Sequence, residues 1–170
     1  ENFNMAISMA SGQYVWIFGD DDLIVEDFLA ELITYLKGSS PDSVILNSCS
    51  FHDQGQVEAG RLALDSLIVY GPNDNDLFLT DQGGYLTYGG CIVIRKKLWE
   101  KYWRSEKVGT FFAHTDAVFR AKIGHTFHYL PRPAIKMRLH MQTWTAKHFE
   151  IWNISFPEVI WELDNYSLQA

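Results

Sequence analysis

The stretch YVWIFGDDDLIVEDFLAELITYL, Tyr14 to Leu36, decides how this chain is read. A short, apolar, β-prone run from Gln13 to Phe18 stops at Gly19 and three consecutive aspartates, Asp20, Asp21 and Asp22. Adjacent carboxylates are costly: at about 5 Å and an effective dielectric of about 20, each ionised pair repels by about 3 kcal/mol. Water, a helix N-terminus or a cation must compensate. A helix is expected next. Glu26 and Asp27 suit its first turn. Phe28, Leu29, Leu32, Ile33 and Leu36 form its apolar stripe, and Gly38 is the expected stop.

Upstream, Phe3, Ile7 and Ala10 share a helical face that ends at Ser11-Gly12. Downstream, Ser43–Ser48 reads as a buried strand, and Phe51–Asp76 as irregular with a short strand at Leu67–Tyr70. Leu77–Leu86 has helical character limited by Gly83-Gly84. Gly89-Gly90 precede a strand at Cys91–Ile94, and helices are expected at Lys96–Trp103 and His114–Ile123, the latter stopped by Gly124. Two strands, His125–Leu130 and Ala134–Leu139, flank Pro131 and Pro133. Ala146–Leu163 is amphipathic, broken or restarted at Pro157. Strand–helix alternation in the first half predicts a parallel α/β sheet, in which ligands bind beyond the C-terminal strand ends. The aspartates lie at such an end.

Composition narrows the field. The 170 residues fit one domain with a sizeable core. A net charge of −7, with no basic run beyond Arg95-Lys96-Lys97, argues against a nucleic-acid surface. Six Trp, eight Tyr and eleven Phe are many: they read first as a large aromatic core, since aromatics bury so much area, and second as rings of which some line a cleft. Trp99, Trp103 and Trp144 can stack on a sugar face or pack in the core or its rim. Cys49 and Cys91 lie in separate apolar runs and read as buried thiols of a reducing compartment. Within these 170 residues no run is long enough to span a membrane and none reads as a signal peptide; the sequence starts at Glu1, not Met, and any targeting signal would precede it.

An acidic turn in which one Asp caps the helix is the plainest account of the triplet, but a cap uses one such residue, not three. An EF-hand is excluded because Leu23, Ile24 and Val25 stand where ligands would be needed. A Mg²⁺ or Mn²⁺ site fits better: these ions take one or two carboxylates, keep waters and accept substrate phosphate oxygens.

The order of Asn4, Ala6, Ala10, Gly12, the apolar strand Tyr14–Phe18 and then Asp20-Asp21-Asp22 resembles the middle of a family 2 glycosyltransferase with the GT-A fold. The resemblance implies a Rossmann-like α/β domain with a mixed, mainly parallel sheet and flanking helices. It also implies an Asp-x-Asp motif at a strand end, holding a divalent cation on the diphosphate of a nucleotide-sugar donor. The motif maps onto Asp20 and Asp22. All three positions are acidic, so the direct ligand is ambiguous; Asp22 is expected at the metal, Asp20 at the metal or the donor, and Asp21 at the donor. The family's glycine-led strand on the acceptor side is matched by Gly89-Gly90-Cys91-Ile92-Val93-Ile94-Arg95. Its acidic pair opening a helix is matched by Thr115-Asp116, followed by Arg120 and Gly124, with Thr where an acid is usual. This makes Asp116 the expected base. Arg138, Leu139, His140, Gln142 and Trp144 resemble the late segment that closes over the diphosphate. Arg138 is then expected on phosphate, His140 in the metal shell and Trp144 on the acceptor side.

What is implied is inverting, metal-dependent transfer of a sugar, first of all from a UDP-sugar, to a glycan or lipid-linked acceptor. The expected place is the cytoplasm or the inner face of the membrane. Two other classes stand beside it: a metal-dependent phosphohydrolase or nucleotidyltransferase, and a non-catalytic carbohydrate-binding or scaffolding remnant. The whole sequence, 1–170, reads as the later part of such a domain, with 145–170 a C-terminal helical segment. The family's front nucleotide-binding strands are expected to be missing, by truncation or in a shortened protein. Tyr14–Phe18 would then present an apolar edge, with self-association and weak activity as the expected results.

Overall fold

The computed structural model describes residues 2–51, 57–138 and 145–167. Seven strands form one sheet. They are β1 (Tyr14–Trp16), β2 (Leu23–Ile24), β3 (Ser43–Phe51), β4 (Val57–Gly60), β5 (Ile68–Tyr70), β6 (Ile92–Arg95) and β7 (Phe127–Arg138). The path is β1-β6-β3-β7-β2, with β4 added to β3 and β5 to β7. Among the described pairs only β3–β7 is parallel. The sheet is thus mixed, and its pairing is not mainly parallel as expected. The reason is that β6 runs against both β1 and β3 and separates two strands of common direction, while β4 runs against β3, and β2 and β5 against β7. β1, β3 and β7 still point the same way, so the ligand-binding end of the sheet survives. β1 is paired on one side only among the described residues.

The helices are α1 (Asn2–Met9), α2 (Phe28–Ser39), α3 (Asn75–Gln82), α4 (Lys96–Tyr102), α5 (Ala113–Lys122), α6 (His148–Glu150) and α7 (Phe156–Trp161). The two-residue alternation of β3 sends successive side chains to opposite faces. Val44 and Leu46 pack with Phe28 and Leu32 of α2, and with Val93 and Ile135. Ile45 faces the larger cluster of Phe78, Trp99, Phe119, Phe127 and Tyr129. Trp99 is fully buried and stacked on Trp103 at 5.1 Å, so these two indoles are core. Cys49 and Cys91 are buried free thiols.

Several boundaries differ from the sequence reading for local reasons. Glu26 and Asp27 precede α2: Asp27 sits at φ 63 as its entry residue, and Glu31 is the acid of the first turn. The helix runs through Gly38, and Ser40, at φ 48, takes the left-handed cap. Lys96 is not simply solvated; its Nζ donates to the Ala10 carbonyl at 2.6 Å and the Ser8 carbonyl at 3.2 Å, closing the end of α1. The prolines do not split β7. Proline supplies no N–H to a ladder, and the pairing with β3 shifts between Leu46 and Ser48. There the Asn47 amide donates to the carbonyls of Pro131 (2.9 Å) and Leu62 (3.2 Å), while its oxygen accepts from Leu62 N–H. Pro157 lies in the first turn of α7, and the turn before it, Ile151–Ser155, widens to π-helical form. No helix of the described residues is long and apolar enough to cross a membrane.

Candidate active site

The aspartates turn the chain from β1 into β2. A half-open cleft of about 420 Å³ lies beside them. Its lining includes polar groups, Asp21, Asp22, Tyr88, Arg61 and Arg138, and aromatic and aliphatic ones, Phe111, Phe112, Ile151 and Trp152.

Asp22 is the best-held of the three acids. Its Oδ2 accepts from the Tyr88 hydroxyl at 2.5 Å and its Oδ1 from the Arg138 backbone N–H at 3.2 Å. Burial pushes its carboxyl above the usual range; the two hydrogen bonds pull the other way, and the charges of Asp21 and Asp20 push it further up. Burial, followed by the bond to Asp22, raises the Tyr88 hydroxyl far above the ordinary phenol range, which keeps it a donor. Asp20 and Asp21 are exposed. Asp21 reaches the cleft and Asp20 does not, so the two acids brought together there are Asp21 and Asp22 rather than Asp20 and Asp22.

Gly19 shows how closely these two converge. A Cβ built there lies 3.0 Å from both Asp21 Oδ1 and Asp22 Oδ2. Two carboxylates that both stand beside one glycine, one of them made costly to ionise by burial, fit a hard divalent cation. Such an ion needs only one or two carboxylates when phosphate oxygens and water complete its shell. Among the described residues no group of three or more His, Cys, Asp or Glu is placed to hold a metal. His140, Gln142 and Trp144 lie outside the described residues.

Gly89 and Gly90 do not line the cleft; Gly90 makes room for a residue that does. A Cβ on Gly90 would come within 2.5 Å of Tyr88 Cζ. The Gly90 carbonyl accepts from Trp16 Nε1 at 2.8 Å, tying this turn to β1. Gly90 thus leaves the Tyr88 ring room against Asp22, while Gly89 lies beside His114 and Ile17. Sequence reading missed Tyr88, although it stands directly before the glycines it chose. It also missed Arg61, whose guanidinium lies 5.9 Å from the ring centres of both Tyr85 and Tyr88. Arg61 follows an irregular segment with no periodic signal.

Asp116 is not on the cleft. It is fully buried. Its Oδ1 accepts from Arg120 Nε at 2.9 Å, with Arg104 Nη1 at 3.8 Å. Its Oδ2 is buried and has no hydrogen-bond partner among the described residues. Arg120 Nη2 also donates to the Glu162 carbonyl at 3.0 Å, and Lys107 pairs with the Glu162 carboxylate. The network ties α5 to the segment after α7. Thr115, which stands where the family's acid was expected, donates to the Leu86 carbonyl at 3.1 Å. His114 Nε2 lies 3.1 Å from the Thr87 carbonyl, and burial pushes its imidazole down to about 4.

An α/β domain with convergent carboxylates at a strand end above a cleft belongs to the class that handles its ligand beyond the carboxyl ends of its strands. Residues 1–103 match the model of glycosyl transferase family 2, and the chain belongs to that family. It is similar to the abequosyltransferase RfbV of Salmonella typhimurium, 29% identical over 150 residues, covering 81% of this chain and 44% of that protein. The fold is shared with S. aureus TarS solved with UDP-GlcNAc (TM-score 0.61, 13% identity, 95% of this chain and 46% of that one). It is shared equally with TarS solved with UDP (TM-score 0.60, 13% identity, 95% and 44%). The chain spans less than half the length of these relatives.

Proposed function

We propose that the protein containing this chain transfers a sugar, with inversion, from a nucleoside-diphosphate sugar, a UDP-sugar first of all, to a hydroxyl of a glycan or lipid-linked acceptor. The observation that carries this is the convergence of Asp21 and Asp22 over Gly19 at the cleft wall, in a chain of family 2. Asp22 and Asp21 would hold Mg²⁺ or Mn²⁺. When bound, such an ion stabilises the negative charge that develops on the leaving diphosphate.

The chain's own groups have separable tasks. Tyr88 and the Arg138 N–H fix the Asp22 carboxylate in one orientation. Arg61 offers a guanidinium in the same cleft, suited to a bidentate phosphate contact. Asp116 is assigned to support rather than proton transfer: it is sealed from the cleft, with Arg120 and Arg104 on its one bonded oxygen. Asp20, exposed on the same turn, is left to a donor hydroxyl.

The test is release of UDP from UDP-sugars by the intact protein, with Mg²⁺, Mn²⁺ or a chelator. Acceptor-dependent, chelator-sensitive turnover that Asp22→Asn abolishes is the expected result. Hydrolysis of simple phosphate esters without an acceptor would overturn it in favour of a phosphohydrolase.

A further inference from the structure

We propose that the aromatic part of the cleft lining, Phe111 with Trp152 on a base of Phe112, seats a pyranose ring of the acceptor; this rests on the transfer reading above. Phe111 holds φ at 67, a conformation that a bulky side chain rarely adopts. Strain of this kind persists where the surroundings impose it, often at ligand sites. Here the loop is pinned on both sides. Thr110 Oγ1 donates to the Lys107 carbonyl at 2.8 Å and accepts from Phe112 N–H at 3.3 Å, and Gly109 makes the preceding turn at φ 102. The strain does not bury the ring: Phe111 is 46% exposed and lines the cleft.

Trp152 reaches the same cleft from a different element, the widened turn before α7. Phe112, only 3% exposed, lies behind it, with ring centres 5.7 Å from Trp152 and 5.2 Å from Phe156. Ile151 and Val159 complete a small separate core. Two partly accessible aromatic groups on a rigid base, in a cleft that polar groups also line, suit a ligand with one apolar and one hydroxylated side. A pyranose has that character: its C–H face stacks on a ring while its hydroxyls seek polar partners. Lys147 Nζ, 5.8 Å from the Phe111 ring centre, is one such partner. The diphosphate of the donor is a polyanion and belongs with the acids' cation and Arg61. The aromatic part of the lining is therefore left for the acceptor.

The test is saturation-transfer NMR on the intact protein. The probes are methyl α-D-mannopyranoside, methyl β-D-galactopyranoside and methyl β-D-glucopyranoside, with UDP titrated in parallel. The ring C–H protons of at least one probe become saturated. The signal falls by about fivefold or more in Trp152→Ala and Phe111→Gly, the loss expected for one aromatic contact. It is unchanged in Trp161→Ala, an exposed indole outside the cleft lining. UDP affinity is the same in all four proteins. Phe111→Gly keeps or raises Tm, because glycine adopts this φ without strain. No saturation of any probe by the wild-type protein, equal signals in both variants, or a lowered Tm for Phe111→Gly overturns the platform. A wild-type protein that ignores UDP is a different failure: it overturns the transfer reading, and with it the assignment of the ring to an acceptor.

Discussion

Two carboxylates frame this molecule from opposite situations. Asp22, at the end of β1, is half buried, forms no ion pair among the described residues, and is held by a phenol and a backbone N–H. Asp116, on α5, is fully buried and has two guanidinium groups beside it. On the proposed reading, Asp116, compensated by Arg120 and Arg104, serves the fold. Asp22, raised in pKa by burial beside Asp21, is left to a ligand. Under that reading an acid compensated by the protein's own guanidinium groups is a fastener, and one held only by a phenol and a backbone N–H is a site.

The comparison breaks most visibly if Asp116 is removed. Asp116→Ala leaves Arg120 and Arg104 without their shared partner, and a loss of about 4 kcal/mol is expected in urea denaturation. Full stability with abolished turnover would instead make Asp116 a direct participant in catalysis. Its neighbour His114 gives the next effect. The unfolded imidazole takes a proton near pH 6.5, whereas the folded one resists until about 4. The stability it contributes is complete above pH 6.5 and is lost as pH falls through that window, by about 3 kcal/mol at most. His114→Gln flattens that part of the pH–stability curve.

On the other side, Gly90→Ala drives a methyl into the Tyr88 ring. Overpacking of this kind costs about 2 kcal/mol, and the displaced ring should weaken Mn²⁺ binding, read by electron paramagnetic resonance. The smallest effect on stability is that of Asp22→Asn. The folded carboxyl of Asp22 is raised above its ordinary 3.8. Its favourable contribution is therefore present below that pH and is lost as pH rises through the folded value. Asp22→Asn removes this dependence and leaves Tm at pH 7 equal or slightly higher, while Mn²⁺ binding is lost. A lower Tm in this variant would mean that Asp22 is a fastener too.

Much of the scaffold was legible. The apolar run of β3, the buried Phe28 and Leu32 of α2 and the left-handed stop at Gly124, φ 77, follow from periodicity and glycine chemistry, whereas Leu29 and Ile33 of the expected α2 stripe are exposed. Asp22 was legible because it ends a buried strand. The antiparallel insertion of β6 was not, since an apolar run carries no mark of its direction. Nor was the continuity of β7 through Pro131 and Pro133, which depends on Asn47, eighty-four residues from Pro131.

The sequence by itself determined the family, the strand-end acids and the glycines that leave room beside them, because these depend on residue type and near neighbours. Only the tertiary structure decided which acids share the cleft. It put Asp21 and Asp22 over Gly19, set Tyr88 against Asp22 from sixty-six residues away, and turned Asp116 to Arg104 and Arg120. A carboxylate's role depends on what compensates its charge, and that partner is chosen by packing rather than by position in the chain.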